Sequence, residues 1–364
     1  MLTPSERSHY ARQIRLPELG EEGQLRLRRG SVAVIGAGGL GSPAAMYLAA
    51  AGVGRIGLVD FDTVDATNLH RQILYTAGDV GRLKCEVAAD RLRSVNPHIE
   101  IVSHCEALMA SNALAILGRY DVVVDGTDNF ATRYLVSDAC TLLGKPNVYG
   151  SVFRFEGQVS VFHPPEAPCY RCLHPTPPAR EMVPSCAEAG VLGLLPGIIG
   201  TIQATEAVKI LTGIGRTLAG RLLLYDAAEM RFREMMLRRN CDAHAAVTTL
   251  SDTGRICMTM EISATELAER LAAGDYSIAL LDVREPQEWS VSHLIGAIHV
   301  PLQQVPQRLA EIPRDRDLVV YCRSGGRSAH AQRFLEANGY SRVRNLTGGM
   351  RAWQHEVDPS VLVA

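Results

Sequence analysis

Cys322 opens the stretch Cys322-Arg323-Ser324-Gly325-Gly326-Arg327-Ser328, directly behind the apolar run Leu318-Val319-Val320-Tyr321. A buried strand thus delivers a cysteine into a short Gly-rich loop that carries Arg323 and Arg327, and a helix-like stretch follows. Such a loop can turn its backbone N–H groups inward as a nest for an anion. The helix N-terminus and the two guanidinium groups add positive potential. A thiol in that setting should ionise easily and act as a nucleophile or a sulfur carrier.

A second set of residues stands near the other end of the chain. Gly36, Gly38 and Gly41 have the G-x-G-x-x-G spacing, with Gly39 among them. Glycines so placed permit a tight turn and close approach of the backbone to a phosphate at a helix N-terminus. Asp60 closes the next apolar run, where an acidic residue can hold a ribose hydroxyl. To this point a dinucleotide dehydrogenase fits equally well. Asp62, Asn68, Arg71, Gln72 and Lys84 follow, and further on stands Asp125-Gly126-Thr127-Asp128-Asn129. Arg71 and Lys84 suit a triphosphate, and Asp128 at the end of a strand suits Mg²⁺. The chain has no G-x-x-x-x-G-K-[ST] loop, so ATP would be held without one.

These residues need scaffolding, and the hydrophobic pattern supplies it. Residues 31–35 read as a strand, 42–51 as a small-residue helix and 55–60 as the next strand. The alternation continues with a helix over 85–95, a strand over 99–103, a helix over 107–117 and a strand over 121–124. This predicts an α/β, doubly wound, Rossmann-like sheet. Strands at 158–162 and 222–225 and a long apolar helix at 197–211 complete the larger part. From Arg239 to Cys257 the chain turns polar and small, which places a linker at 246–258 between domains 1–245 and 259–364. The second domain has its own α/β alternation, with strands near 278–282, 297–300, 319–322 and 343–346 and helices over 263–272 and 328–338.

Composition narrows the classes. The 364 residues carry a net charge of −2, so nothing favours nucleic acid or an anionic membrane. No apolar run reaches membrane-spanning length, and the first residues lack a signal-peptide core. Nine cysteines in an intracellular reading imply reduced thiols used for metal binding or catalysis, and a cytoplasmic location. Cys85, Cys105, Cys140 and Cys257 have no chemical context and read as structural.

The set Arg12-Gln13, Gly36 to Gly41, Asp60-Phe61-Asp62, Asn68 to Gln72, Lys84 and Asp128-Asn129 resembles the ubiquitin-activating-enzyme-like adenylyltransferases of the MoeB/ThiF type. With Asp282 to Glu285, Glu288-Trp289, His293 to Ala297, Cys322 to Arg327 and Thr347 to Met350, which resemble the rhodanese domain, the whole chain is similar to the fused adenylyltransferase–sulfurtransferases of the MoeZ type. The resemblance implies ATP-dependent adenylation of the C-terminal Gly-Gly carboxylate of a ubiquitin-like sulfur carrier. A Cys322 persulfide would then convert the carrier to a thiocarboxylate. Gly36, Gly38, Gly39 and Gly41 would line the nucleotide, and Asp60 and Asp62 would sit at the ribose side. Asn68, Arg71 and Lys84 would reach the phosphates, Asp128 would hold Mg²⁺, and Gln72 and Asn129 would belong to the same nucleotide site. Arg12 would enter the site of a second subunit, which implies a homodimer. In the rhodanese loop, Arg323 and Arg327 would lower the thiol pKa and guide an anionic donor. Asp282 and Arg284 would hold that domain together.

The same resemblance bears on the middle cysteines. Cys169 and Cys172 form a C-x-x-C pair, and Cys241 with His244 a C-x-x-H pair where the family usually has a second C-x-x-C. Three thiolates and one imidazole still make an ordinary structural zinc site. Cys186, after the Pro-rich run 175–178, would attack the adenylate or resolve a disulfide with the carrier. Carriers of this kind serve molybdopterin, thiamine, cysteine, siderophore and tRNA thiolation chemistry, and the donor could be thiosulfate or a cysteine desulfurase. Two rival readings remain: a nicotinamide-dependent oxidoreductase fused to a rhodanese domain, and a non-catalytic carrier-docking protein.

Overall fold

The computed structural model describes residues 1–175, 190–240, 247–250, 260–275, 277–340 and 342–363. The chain divides into two compact units, Met1–Thr253 and Gly254–Ala364. The first opens with three helices, α1 (Pro4–His9), α2 (Ala11–Ile14) and α3 (Gly20–Arg29). Alternation follows through β1 (Ser31–Ile35), α4 (Gly41–Ala51), β2 (Arg55–Val59), α5 (Lys84–Val95), β3 (Glu100–His104), α6 (Ala113–Leu117) and β4 (Val122–Asp125). Then come α7 (Phe130–Leu143), β5 (Asn147–Phe153), β6 (Glu156–Phe162), α8 (Tyr170–Leu173), α9 (Leu195–Thr212), β7 (Arg221–Asp226) and β8 (Arg231–Met236).

The sheet has the order β3-β2-β1-β4-β5-β6-β7-β8. Strands β1 to β5 run parallel, and β6, β7 and β8 follow, each antiparallel to the strand before it. Val32, Ala33, Val34 and Ile35 of β1 are all buried, as a strand covered on both faces requires. Each such Val or Ile contributes roughly 1.5–3 kcal/mol on burial. The Ala-rich helix α4 packs on α9, and it stops at Gly52, whose φ is +87°. The sequence of β1 continues into a left-handed Gly36 at φ +82°, so the chain can reverse into α4. Because β2 lies on one side of β1 and β4 on the other, the crevice at their C-terminal ends is the switch point where such sheets take ligands.

The second unit contains β9 (Met260–Ile262), α10 (Ala264–Ala272), β10 (Ile278–Asp282), α11 (Pro286–Val291), β11 (Ile298–His299), β12 (Asp317–Tyr321), α12 (Gly326–Ala337), β13 (Val343–Leu346) and α13 (Gly349–Glu356). Its parallel sheet has the order β11-β10-β12-β13-β9. Among the described residues no helix is long and apolar enough to cross a membrane.

Two expectations need correction. The helix expected over 107–117 is confined to Ala113–Leu117. Asn112 holds the preceding residues in turns, its Oδ1 accepting the Met109 N–H at 2.7 Å and its Nδ2 donating to Glu106. Cys85 and Cys105, expected to be reduced and unconnected, form a disulfide from the first turn of α5 to the residue after β3. Local sequence could not show that these two elements lie side by side.

Candidate active sites

The glycine turn is built by steric exclusion. A side chain at Gly41 would run into the Gly36 carbonyl oxygen, and a Cβ at Gly36 would lie 3.1 Å from the Gly126 oxygen. Gly39 faces Pro196 at the start of α9. The turn is then fixed by hydrogen bonds. The Ala37 carbonyl accepts the Tyr75 hydroxyl at 2.8 Å and the Ser42 hydroxyl at 3.0 Å. The Ala37 N–H donates to Asp60 Oδ2 at 2.7 Å, and the Asp62 N–H donates to Asp60 Oδ1 at 2.8 Å. Asp60 therefore ties the glycine turn to the loop after β2, with a lone pair left on each oxygen for a hydroxyl. Burial raises its pKa above 3.8, although Lys84 and the two N–H donors oppose the rise.

The cations gather on the same side. Lys84 is buried and its Nζ donates to Asp62 Oδ2 at 2.9 Å, so a phosphate can be met without moving the lysine out of water. Arg71 Nη2 donates to Asn68 Oδ1 at 2.7 Å, which aims the guanidinium. Gln72 lies against Gly38 and its buried Oε1 has no partner. An orphaned acceptor beside the turn is what a bound nucleotide would satisfy. Across the crevice Asp125 Oδ1 accepts both the N–H and the hydroxyl of Thr127, which leaves Asp128 exposed at the mouth. Beside it, Asn129 Oδ1 accepts the Thr132 N–H and caps α7.

The Cys322 site has the same logic with a different nucleophile. The thiol is buried at the end of β12. Gly325, in the left-handed region at φ +95°, sends its N–H to Cys322 Sγ at 3.2 Å. Ser328 Oγ lies 3.3 Å from the sulfur and 3.0 Å from the Gly325 carbonyl oxygen, so its one proton can serve either. Below the loop, Arg284 and Asp282 form a fully buried pair at 2.7 Å. Arg323 is exposed, whereas Arg327 is engaged by Glu288 at 2.6 Å.

Comparison with known proteins decides between the rival readings. The ThiF family matches residues 10–245, and the rhodanese-like domain matches residues 263–356. The chain belongs to the ThiF family. It is 44% identical over 380 residues to the probable adenylyltransferase/sulfurtransferase MoeZ of Mycobacterium tuberculosis, covering 100% of this chain and 96% of that one. It is 42% identical over 391 residues to the adenylyltransferase and sulfurtransferase MOCS3 of Aedes aegypti, covering 98% and 89%. Among solved structures, MccB of E. coli aligns with a TM-score of 0.56 at 21% identity over 61% of this chain and 68% of that one. PaaA aligns with a TM-score of 0.55 at 22% identity over 65% and 75%. These two show the fold alone. This ThiF-family chain is an adenylyltransferase and a sulfurtransferase, with ATP as the substrate of the first activity and the rhodanese-like domain carrying the second. The oxidoreductase and docking-protein readings are set aside.

The remaining residues of this ThiF-family chain fall into place unevenly. Cys169 and Cys172 converge with 3.7 Å between sulfurs, close to the roughly 3.8 Å edge of a tetrahedron with 2.3 Å metal–sulfur bonds. Burial and the neighbouring Cys172 sulfur push the Cys169 thiol up to about 11, a cost that a cation would offset. The Asn240 N–H donates to Cys172 Sγ at 3.3 Å. Cys241, His244 and Cys186 lie outside the described residues, and among the described ones no group of three metal-binding side chains occurs. Arg12 on α2 is exposed. Sequence reasoning missed Tyr75, Ser328 and Gln203, whose Nε2 ties α9 to the Asp125 and Val148 carbonyls at 2.7 and 3.0 Å. Tyr75 and Gln203 carried no motif. Ser328 carried a positional signal, six residues after Cys322.

Proposed function

We propose that the chain activates a ubiquitin-like sulfur carrier and converts its C-terminal carboxylate to a thiocarboxylate. What carries the reading is one polypeptide holding both a cation-lined glycine turn and a loop-held thiol. The Gly-Gly carboxylate attacks the α-phosphate of ATP, the α–β bridging bond breaks, and pyrophosphate leaves. Carboxylate and triphosphate repel one another, so Arg71 and Lys84 orient and neutralise them. Asp128 would hold the magnesium ion, which supplies further neutralisation of phosphate charge.

The outer sulfur of a Cys322 persulfide then attacks the acyl carbon, and AMP leaves. Adenylation matters here because AMP departs far more readily than hydroxide. The acyl disulfide so formed is resolved by a thiol, for which Cys186 is our choice. It attacks Cys322 Sγ, expels the thiocarboxylate and leaves a disulfide that an external thiol reduces. We further assign Cys169, Cys172, Cys241 and His244 to a structural zinc site, and Arg12 to the site of a second subunit in a homodimer. The Cys169–Cys172 spacing and the exposure of Arg12 support both.

The test uses the full chain with a candidate carrier ending in Gly-Gly, ATP, magnesium and a sulfane source. The carrier should gain about 16 Da as oxygen is replaced by sulfur. Cys322→Ala should keep carrier-dependent ATP–pyrophosphate exchange and yield no thiocarboxylate. Loss of the exchange in that variant would show the two steps to be inseparable and overturn the scheme.

A further inference from the structure

Two guanidinium groups border the Cys322 loop, and only one is open. Arg323 is exposed and, among the described residues, makes no ion pair. Arg327 gives both terminal nitrogens to Glu288, Nη1 to Oε2 and Nη2 to Oε1, each at 2.6 Å. The carboxylate is itself fixed, because its Oε2 accepts the Glu285 N–H at 3.0 Å as a cap on α11. The two side chains are only 33% and 16% exposed. A two-point pair of this kind is the strong form of the interaction. For Arg327 to swing toward an incoming anion, a mostly buried carboxylate would have to lose its cation. The loop therefore offers a bound donor one free guanidinium, that of Arg323, because Arg327 is neutralised by Glu288 and lies in the field of Glu285 as well.

We propose that Glu288 is a specificity-determining residue of the sulfur-loading step: by holding Arg327 it disfavours dianionic sulfonated donors such as thiosulfate and favours persulfides carried on a thiol. This rests on the reading of Cys322 as the sulfur-accepting thiolate. Both donors deliver the same atom. The Cys322 thiolate attacks the sulfane sulfur, the new Sγ–S bond forms, and the donor's S–S bond breaks. The electron pair leaves on sulfite in one case and on a thiolate in the other, so no oxidant or reductant is consumed. The difference is charge. Thiosulfate brings two negative charges up to a thiolate, and a thiol persulfide group brings at most one. Glu288 sits where a second free guanidinium would have compensated the extra charge.

The experiment loads the full chain with thiosulfate or with cysteine persulfide, whose net charge is at most one negative, and follows the Cys322 persulfide by mass spectrometry. Glu288→Gln keeps the size and an acceptor for the Glu285 N–H but releases Arg327. It should raise kcat/KM for thiosulfate by on the order of tenfold, chiefly through KM, while loading by cysteine persulfide shifts far less. Glu288→Asp keeps the charge and should keep the parent preference. An unchanged donor ratio in Glu288→Gln, or an equal fall with both donors, overturns the assignment, since a purely structural defect moves both alike. If Cys322 of the parent chain accepts sulfur from neither donor, the sulfur-transfer reading falls and this proposal with it.

Discussion

Asp60 shows how one carboxylate can serve the fold and the chemistry with opposite pH signs. Its two oxygens hold the Ala37 and Asp62 N–H groups, and burial lifts its pKa above 3.8. Between 3.8 and that raised value the folded chain binds more protons than the unfolded one. The group's stability contribution is thus full below the unfolded pKa and is lost as pH rises through the folded one. Function runs the other way, because only the carboxylate can accept both N–H groups and a ribose hydroxyl. ATP–pyrophosphate exchange is expected to decline at acid pH before the fold does. Parallel pH profiles of exchange and far-ultraviolet circular dichroism check this. An exchange loss that coincides with unfolding would remove Asp60 from the site. Glu288 has the reverse sign: Arg327 holds its carboxyl below 4.5, so that pair contributes above 4.5 and is lost as pH falls through the folded value.

At the scale of elements, the Cys85–Cys105 bond joins the start of α5 to the end of β3, 20 residues apart in sequence. Both ends touch the nucleotide site. Lys84 precedes Cys85, and the His104 carbonyl, just before Cys105, accepts the Asp60 N–H at 3.2 Å. Replacing both cysteines by alanine should cost about 3 kcal/mol under non-reducing conditions, from the restored freedom of the unfolded loop. The denaturant midpoint measures it, and an unmoved midpoint would mean that the bond does not form in solution. Neither cysteine announced its partner, because strand neighbours are set by tertiary order and not by local period. Much else was legible. The glycine turn, β1, β2, β4, α5 and the Cys322 loop follow from spacing and alternation alone. Helix α7 escaped because Arg133, Ser137 and Asp138 are buried in it, which erases a polar face. Strand β8 escaped because all six residues are exposed, leaving no alternation to read. The Arg327–Glu288 pair could not be read either, since the partners stand 39 residues apart.

The whole molecule is two units, each with its own sheet and its own buried clusters. On the proposed scheme each half-reaction draws on one kind of unit: the glycine turn and cations for adenylation, the Cys322 loop for sulfur loading. The transfer between them is where one chain matters. A covalent connection turns a bimolecular encounter into an intramolecular one, at an effective concentration that reaches the millimolar range. Residues 1–253 and 254–364 produced as separate chains should therefore keep ATP–pyrophosphate exchange and persulfide loading respectively. When they are mixed near one micromolar, thiocarboxylate formation should fall by on the order of 100-fold or more and recover as the smaller unit is added in excess. Mass spectrometry of the carrier against the concentration of that unit gives the answer. A saturating dependence at millimolar levels identifies the tether as the source of the coupling. Full yield at one micromolar would instead require the units to recognise each other or the loaded carrier directly, and the covalent connection would then be dispensable for the relay.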